Sequence, residues 1–326
     1  YDAQVYNSVR LLLSFLRWAA LAGADLVNYA EVTGFLEKRG AIVGVKVRDA
    51  LTGEAFEVRG ETILLACGPW IDRVTRLLRK NQLKPSSGFA KAVNLVTRKI
   101  FDTYAVGIPA RDSCHDSHGI TTKRNRLLFI APWRDRSLIG TTYNRCDNDP
   151  DCLTIAGADI ENFLGQINLA CPSANLKRNE ITFVHSGLVP VSSAGPENAP
   201  LTLSKHYRIR DHGDEGVKGL ISVVGVKYTT ARDVAEKAVD QVFRSCGRKP
   251  PKSCSSSTPL HGGQIQRFET FLKDQIAARA HGLNSDAVRR LVYNHGSAYP
   301  EVLQFLPPRD QTSPPAIDSA LLKAEV

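Results

Sequence analysis

The sequence has no methionine in 326 residues, and it opens Tyr1-Asp2-Ala3. It reads as a piece of a longer protein, so the lack of a leader segment carries no information about targeting. No apolar run approaches the ~18 residues that span a bilayer; the longest, such as residues 62–67, are strand-sized. No Lys/Arg block with interleaved aromatics occurs, which argues against a nucleic-acid partner. The seven cysteines form no Cys-x-x-Cys pair, so neither a zinc site nor a disulfide framework is supported, and a reduced cytosolic setting is the default. No Gly-x-Gly-x-x-Gly fingerprint is present, so no phosphate cradle for a dinucleotide can be read from this chain. No metal-ligand pattern stands out.

What is there is globular. Apolar residues make up 43% and charged residues 23%, near the averages for folded domains. The net charge of +9 favours anionic partners such as phosphate substrates or anionic lipid, unless the basic residues are simply scattered over the surface.

Val5, Val9, Leu12, Leu13, Leu16 and Ala20 recur at helical spacing and predict a helix over residues 3–22, ended by Gly23. A short strand is expected at 25–29. Strands at 31–38, 41–49 and 55–59 follow, joined by Arg39-Gly40 and Leu51-Thr52-Gly53, and form an antiparallel meander. Residues 61–66 read as a buried strand and 70–80 as a helix. Strands are expected at 90–98, 127–132, 137–142, 181–190 and 201–208, in one mostly antiparallel sheet, with a helix at 155–170. A buried strand at 220–224 leads into a helix at 229–245. Residues 249–258 are a linker. Helices at 264–280, 285–296, 299–305 and 318–326 complete the chain.

Three segments can carry chemistry. In Ile63-Leu64-Leu65-Ala66-Cys67-Gly68-Pro69-Trp70, a buried strand ends in small residues and a helical turn. The backbone can there approach a ligand closely, with unpaired N–H groups nearby. Leu220–Val224 runs likewise through Gly225-Val226-Lys227 into a helix that Thr229 or Thr230 can cap. Its positive end, with Lys227, suits developing negative charge. The third, Phe129 to Thr142, is a hairpin with polar ends, including Arg134 and Arg136. Any one of these is common in α/β proteins.

In this order and spacing the three resemble the FAD-dependent glycerol-3-phosphate dehydrogenase family, within the amino-acid-oxidase-like flavoproteins. Residues 65–72 are similar to the family's Gly-Pro-Trp strand end. Residues 132–143 are similar to its Pro-Trp hairpin closing on Gly-Thr-Thr-Asp, and 225–240 to its Gly-Gly-Lys turn and helix. Residues 260–263 and 293–297 resemble two shorter family segments. The resemblance implies an α/β (α+β) chain in which a partial Rossmann layer of the FAD-binding type joins an antiparallel-sheet substrate domain and a C-terminal helical segment. The implied divisions are 1–85 (the remainder of the FAD-binding domain, with its meander), 86–215 (substrate/cap domain), 216–248 (return to the FAD-binding domain) and 249–326 (linker and truncated helical domain).

The implied activity is oxidation of glycerol 3-phosphate to dihydroxyacetone phosphate, with hydride transfer to the flavin of FAD and onward transfer to quinone or oxygen. A cytoplasmic location with peripheral contact at the inner membrane face goes with it. The implied cofactor residues are Val32, Ala66, Gly68, Pro69, Gly225, Lys227 and Thr229. The implied substrate residues are Lys205, Lys227 and Arg134, and no catalytic base is identified. The Gly-rich FAD fingerprint would lie before residue 1, so the isolated piece is expected to bind FAD poorly and to be inactive.

The chain departs from the family pattern at four places. A phosphate-holding Arg stands as Val189, a downstream Arg as Lys205, the second Gly of the flavin turn as Val226, and the Asp after Gly-Thr-Thr as Tyr143. These departures keep open a same-fold flavoenzyme for another small hydroxy or amino acid, or a non-catalytic homologue. His185 and His206 flank the same sheet region as structural or site residues.

Overall fold

The computed structural model describes residues 5–78, 83, 88–110, 127–146, 149–192, 201–204, 206–278 and 282–305. The chain divides into two compact units. The larger comprises Tyr29–Lys227 with Asp233–Pro250, and the smaller draws on Tyr1–Asn28, Tyr228–Arg232 and Pro251–Val326.

The strands in chain order are β1 (Ala30–Lys38), β2 (Ala41–Asp49), β3 (Ala55–Arg59), β4 (Ile63–Leu65), β5 (Phe89–Arg98), β6 (Val106–Pro109), β7 (Leu127–Trp133), β8 (Arg136–Cys146), β9 (Ile181–Pro190), β10 (Arg208–Asp211) and β11 (Leu220–Val224). The helices are α1 (Ser8–Leu21), α2 (Ile71–Thr75), α3 (Gly157–Ala170), α4 (Ala231–Ser245), α5 (Phe268–Ala278), α6 (Ser285–His295) and α7 (Tyr299–Leu303).

In the larger unit β1-β2-β3 form the expected antiparallel meander. The β2–β3 turn is held by Asp49, whose Oδ1 accepts from the backbone N–H of Leu51 at 2.7 Å and of Thr52 at 3.2 Å; these bonds hold the Asp49 carboxyl below its usual range. A second sheet has the order β10-β11-β4, with β11 and β4 parallel and β10 antiparallel. Phe35, Ile42, Val45 and Val47 of the meander share one core with Leu65, Ile71, Leu220 and Val224.

The third sheet is antiparallel, in the order β6-β7-β8-β5-β9. The interior strand β5, between β8 and β9, buries residues on both faces, Val93 and Leu95 on one and Ala90, Ala92 and Val96 on the other. On one face α3 packs Ile160, Phe163 and Ile167 against Val93, Leu95, Ile130 and Ile139. The start of α3 is pinned by Asp159, which accepts from Lys91 Nζ at 2.6 Å and from the Ala156 N–H at 3.3 Å.

The smaller unit packs α5, α6 and α7 around Leu272, Val288, Leu291, Val292, Tyr299 and Leu303. Asn7 caps α1 and donates to Asn294 at 3.1 Å, while Arg10 bonds His295 at 2.6 Å and Arg17 bonds Glu301 at 3.3 Å. Among the described residues no helix is long and apolar enough to cross a membrane.

Several expectations change. Residues 25–29 are not a strand: Leu26 and Val27 are exposed, and Tyr29 turns the chain into β1 with φ +55°. The expected helix at 70–80 starts as a 3₁₀ turn, Gly68–Trp70, and runs on only as α2. The expected strand at 201–208 shrinks to one bridge, Leu203 to Val191, and β10 starts at its end. The sequence reading omitted β6. The helix expected at 318–326 lies outside the described residues.

A buried polar cluster closes the β10–β11 end. His212, 2% exposed, shares a hydrogen bond with Ser222 Oγ through Nε2 at 2.9 Å. Its Nδ1 lies 3.3 Å from Glu215 Oε1, which also takes Arg210 Nε at 2.5 Å. Burial pushes the His212 pKa below the usual value, against the pull of Glu215. A histidine kept neutral in the fold is protonated more readily after unfolding. Its contribution to stability is therefore full above about pH 6.5 and falls as the pH drops toward its lowered folded value, by at most ~1.4 kcal/mol per pH unit. Denaturant midpoints measured from pH 7.5 to 5 should fall with acid in the wild type and less steeply in His212→Asn; identical slopes would show that His212 does not set the dependence.

Candidate functional site

β4 and β11 pair in parallel, Leu220 beside Ile63, Ile221 beside Leu64 and Ser222 beside Leu65. Their carboxyl ends therefore point the same way and leave the sheet at one edge. In open α/β sheets this is where ligand crevices form. Each strand ends in a buried anchor, Leu65 or Val224, and each then passes through a glycine of positive φ, Gly68 at +53° and Gly225 at +84°.

The two glycines differ in surroundings. A Cβ on Gly68 would meet nothing within 4 Å, so the space in front of that strand end is open. A Cβ on Gly225 would lie 3.4 Å from Pro190 Cγ and 3.5 Å from the His206 carbonyl oxygen. The last residue of β9 thus sits against the end of β11, and β9 also packs on the 3₁₀ turn Gly68–Trp70. Pro69 stands at the start of that turn, where its missing N–H costs nothing. Trp70 Nε1 donates to Asp151 Oδ1 at 2.8 Å and Arg73 pairs with the same carboxylate, which stays below its usual pKa range as a result. The turn is thereby tied to the segment between β8 and α3. Cys67 packs on the core, and burial pushes its thiol pKa up, so it stays a neutral small side chain.

Of the residues singled out from the sequence, Ala66, Gly68, Pro69 and Gly225 are gathered at this edge. Val32 is half-buried on β1 against the same core. Lys227 follows Gly225 and is exposed; Thr229 lies in the 3₁₀ turn Tyr228–Thr230. Arg134 occupies the β7–β8 hairpin at φ +59°, with its guanidinium 4.8 Å from the Trp133 ring centroid. The register sets the backbone of that hairpin at the opposite end of β5 from Pro190, while its Trp133 ring reaches His185 of β9, ring centroids 5.8 Å apart. His185 lies on β9 against the Trp133 and Phe183 rings. Lys205 lies outside the described residues. A polar recess of ≈ 290 Å³, lined by Thr142, Asn144, Asp159, Asn162, Phe163 and Gln166, is on the α3 side of the sheet. The contact of Pro190 with Gly225 escaped the sequence reading, although both residues lie in segments it singled out.

The sequence pattern of FAD dependent oxidoreductases matches residues 1–226. The chain belongs to that family. It is 29% identical over 318 residues to a glycerol-3-phosphate dehydrogenase of Synechocystis sp., covering 94% of this chain and 55% of that protein. It is 26% identical over 303 residues to the aerobic glycerol-3-phosphate dehydrogenase of Staphylococcus haemolyticus, covering 89% of this chain and 51% of that protein. The structure of the glycerol-3-phosphate dehydrogenase from Bacillus halodurans complexed with FAD superposes with a TM-score of 0.70 at 25% identity, over 91% of this chain and 55% of that one. The chain spans about half the length of these relatives.

FAD is the family's cofactor, and the strand edge fits it on this chain's own evidence. Two glycines remove side chains where two parallel strands end, and the space at Gly68 is open. Ala66, Gly68, Pro69 and Gly225 are the residues of this edge that would hold the cofactor; when bound, FAD supplies a two-electron acceptor. A side chain at Gly225 has to adopt a left-handed conformation, at ~1–2 kcal/mol, and press on Pro190. In the full-length protein Gly225→Ala should lower the flavin-to-protein absorbance ratio several-fold and Gly225→Val more; undiminished flavin in both would remove Gly225 from the site.

Proposed function

We propose that this chain is the strand-edge and substrate-sheet part of an FAD-dependent dehydrogenase that oxidises glycerol 3-phosphate to dihydroxyacetone phosphate. The observation that carries the reading is the meeting of three segments at one edge: the ends of β4, β11 and β9. The names of the relatives, aligned over about nine-tenths of this chain, supply the substrate. Oxidation takes a hydride from C2 of the substrate and a proton from its hydroxyl. The chain's share is to hold the acceptor with backbone at Gly68 and Gly225 and to present the substrate from the antiparallel sheet. Lys227 and Thr229 are assigned to the flavin end and Val32 to the adenine end. Electrons leave to quinone or oxygen, and the net charge of +9 suits peripheral contact with an anionic membrane surface.

A second reading, another small hydroxy or amino acid as substrate, is favoured by one observation: Val189 and Tyr143, where the family pattern has an Arg and an Asp, pack into an apolar cluster with Ala90, Val191, Leu201 and Leu203. Anaerobic addition of glycerol 3-phosphate to the full-length flavoprotein separates the two. Rapid bleaching of the oxidised flavin band is expected; a flavin that dithionite reduces but glycerol 3-phosphate does not would favour the second reading.

A further inference from the structure

The antiparallel sheet has two unlike faces. Val93, Leu95 and Ile139 face α3. Strand alternation then assigns the other face. Register puts Ala92 between Tyr143 and Gly187, and Ala90 between Arg145 and Val189, on that second face. Ala90, Tyr143 and Val189 pack in one cluster with Val191, Leu201 and Leu203, which agrees with this and covers Ala90. The row Arg145–Ala90–Val189 is one residue from the sheet end, where Pro190 meets Gly225. A Cβ on Gly187 would meet nothing within 4 Å, so this part of the face has room.

Among the described residues of β5 and β9, charge on this face is sparse near that end. β9 contributes Phe183, His185, Gly187 and Val189, and β5 contributes Ala90, Ala92 and Asn94. None of these is a carboxylate, and none carries a fixed positive charge. Arg145, half-buried, is the guanidinium that the register brings to these rows. Arg136 belongs to the far end, Arg134 stacks on the Trp133 ring beside His185, several residues along β9 from this row, and Lys91 faces α3, where it pairs with Asp159.

We infer that Arg145 holds the phosphate of the substrate, so that β8 rather than β9 supplies the anion contact in this chain. The inference rests on the proposed glycerol 3-phosphate reading for its substrate but on register alone for its residue. A planar, permanently charged fork suits a phosphate better than a lysine would.

The test uses the full-length holoenzyme, with glycerol 3-phosphate as substrate and inorganic phosphate as competing ligand. Arg145→Gln should raise KM for glycerol 3-phosphate roughly 10- to 100-fold, weaken competition by phosphate in step, and change kcat by less than about 3-fold; Arg145→Lys should fall between. Restoration of KM by adding Val189→Arg to Arg145→Gln would place the lost contact at this row. An Arg145→Gln enzyme with wild-type KM and wild-type phosphate competition overturns the inference and leaves the substrate reading intact. If the wild-type flavin is not reduced by glycerol 3-phosphate, the substrate reading fails, and phosphate binding to wild type against Arg145→Gln, followed by flavin absorbance, still decides the role of Arg145. Should Arg145→Gln not fold, Val189→Arg alone decides. A change in KM below about 3-fold means the seat is already filled by Arg145, and a drop above about 10-fold means it was empty.

Discussion

The parallel pairing of β4 with β11 brings together two segments that are far apart in the chain, Ile63–Leu65 and Leu220–Val224. Parallel neighbours need a long crossover, and here everything between them, including the whole antiparallel sheet, forms that excursion. Because the strands run the same way, both glycine turns leave from one edge. Were β4 reversed, Gly68 would lie at the other end of the sheet from Gly225. The buried strand β11 makes the pairing firm: all five of its residues are buried, and Leu220 and Val224 share a core with Leu65 and the meander. On its other face Val223 packs on Val234 and Ala238 of α4.

The antiparallel sheet depends on the same edge through its last strand. β9 runs toward Gly225 and ends in Pro190, which cannot donate to a further ladder bond. Its register with β5, and that of β5 with β8, then fixes which side chains stand near the edge. The α3 face is closed by apolar packing and by the Lys91–Asp159 pair; on the opposite face Val191, Leu201 and Leu203 cover Ala90, while the space at Gly187 is open. Trp70, Arg73 and Asp151 tie the Gly68 turn to the segment entering α3. The geometry at the edge is thus held from the parallel sheet and from the antiparallel one.

Much of this was legible in the sequence. Strand–glycine–turn joints announce themselves because a small residue and a proline follow an apolar run, and both joints were found. The meander was readable from its alternation and its Gly turns. The pairing of β4 with β11 was not, since a three-residue strand carries no register signal. Leu26 and Val27 mislead because they are apolar and yet exposed. Val9, Leu12 and Leu13 of α1 likewise show helical spacing and remain exposed. Arg145 was hidden for a specific reason. Between Val93 and Asn94 the register with β8 shifts, passing from Thr142 to Gly140. Such a bulge reverses the alternation. Counting by twos from Ile139, which faces α3, places Tyr143 and Arg145 on the α3 face. The extra residue turns both to the other side.

The central claim is that the flavin lies at the Gly68–Gly225 edge. Trp70 ends the turn at that edge, whereas the backbone of Trp133 lies at the far end of β7 and its ring packs on His185 of β9. The direct measurement is tryptophan emission of the full-length flavoprotein before and after flavin release, in the wild type, Trp70→Phe and Trp133→Phe. The account predicts that the emission recovered on flavin release shrinks in Trp70→Phe and stays near the wild-type value in Trp133→Phe. Recovery that survives the loss of Trp70 and disappears with Trp133 would contradict it.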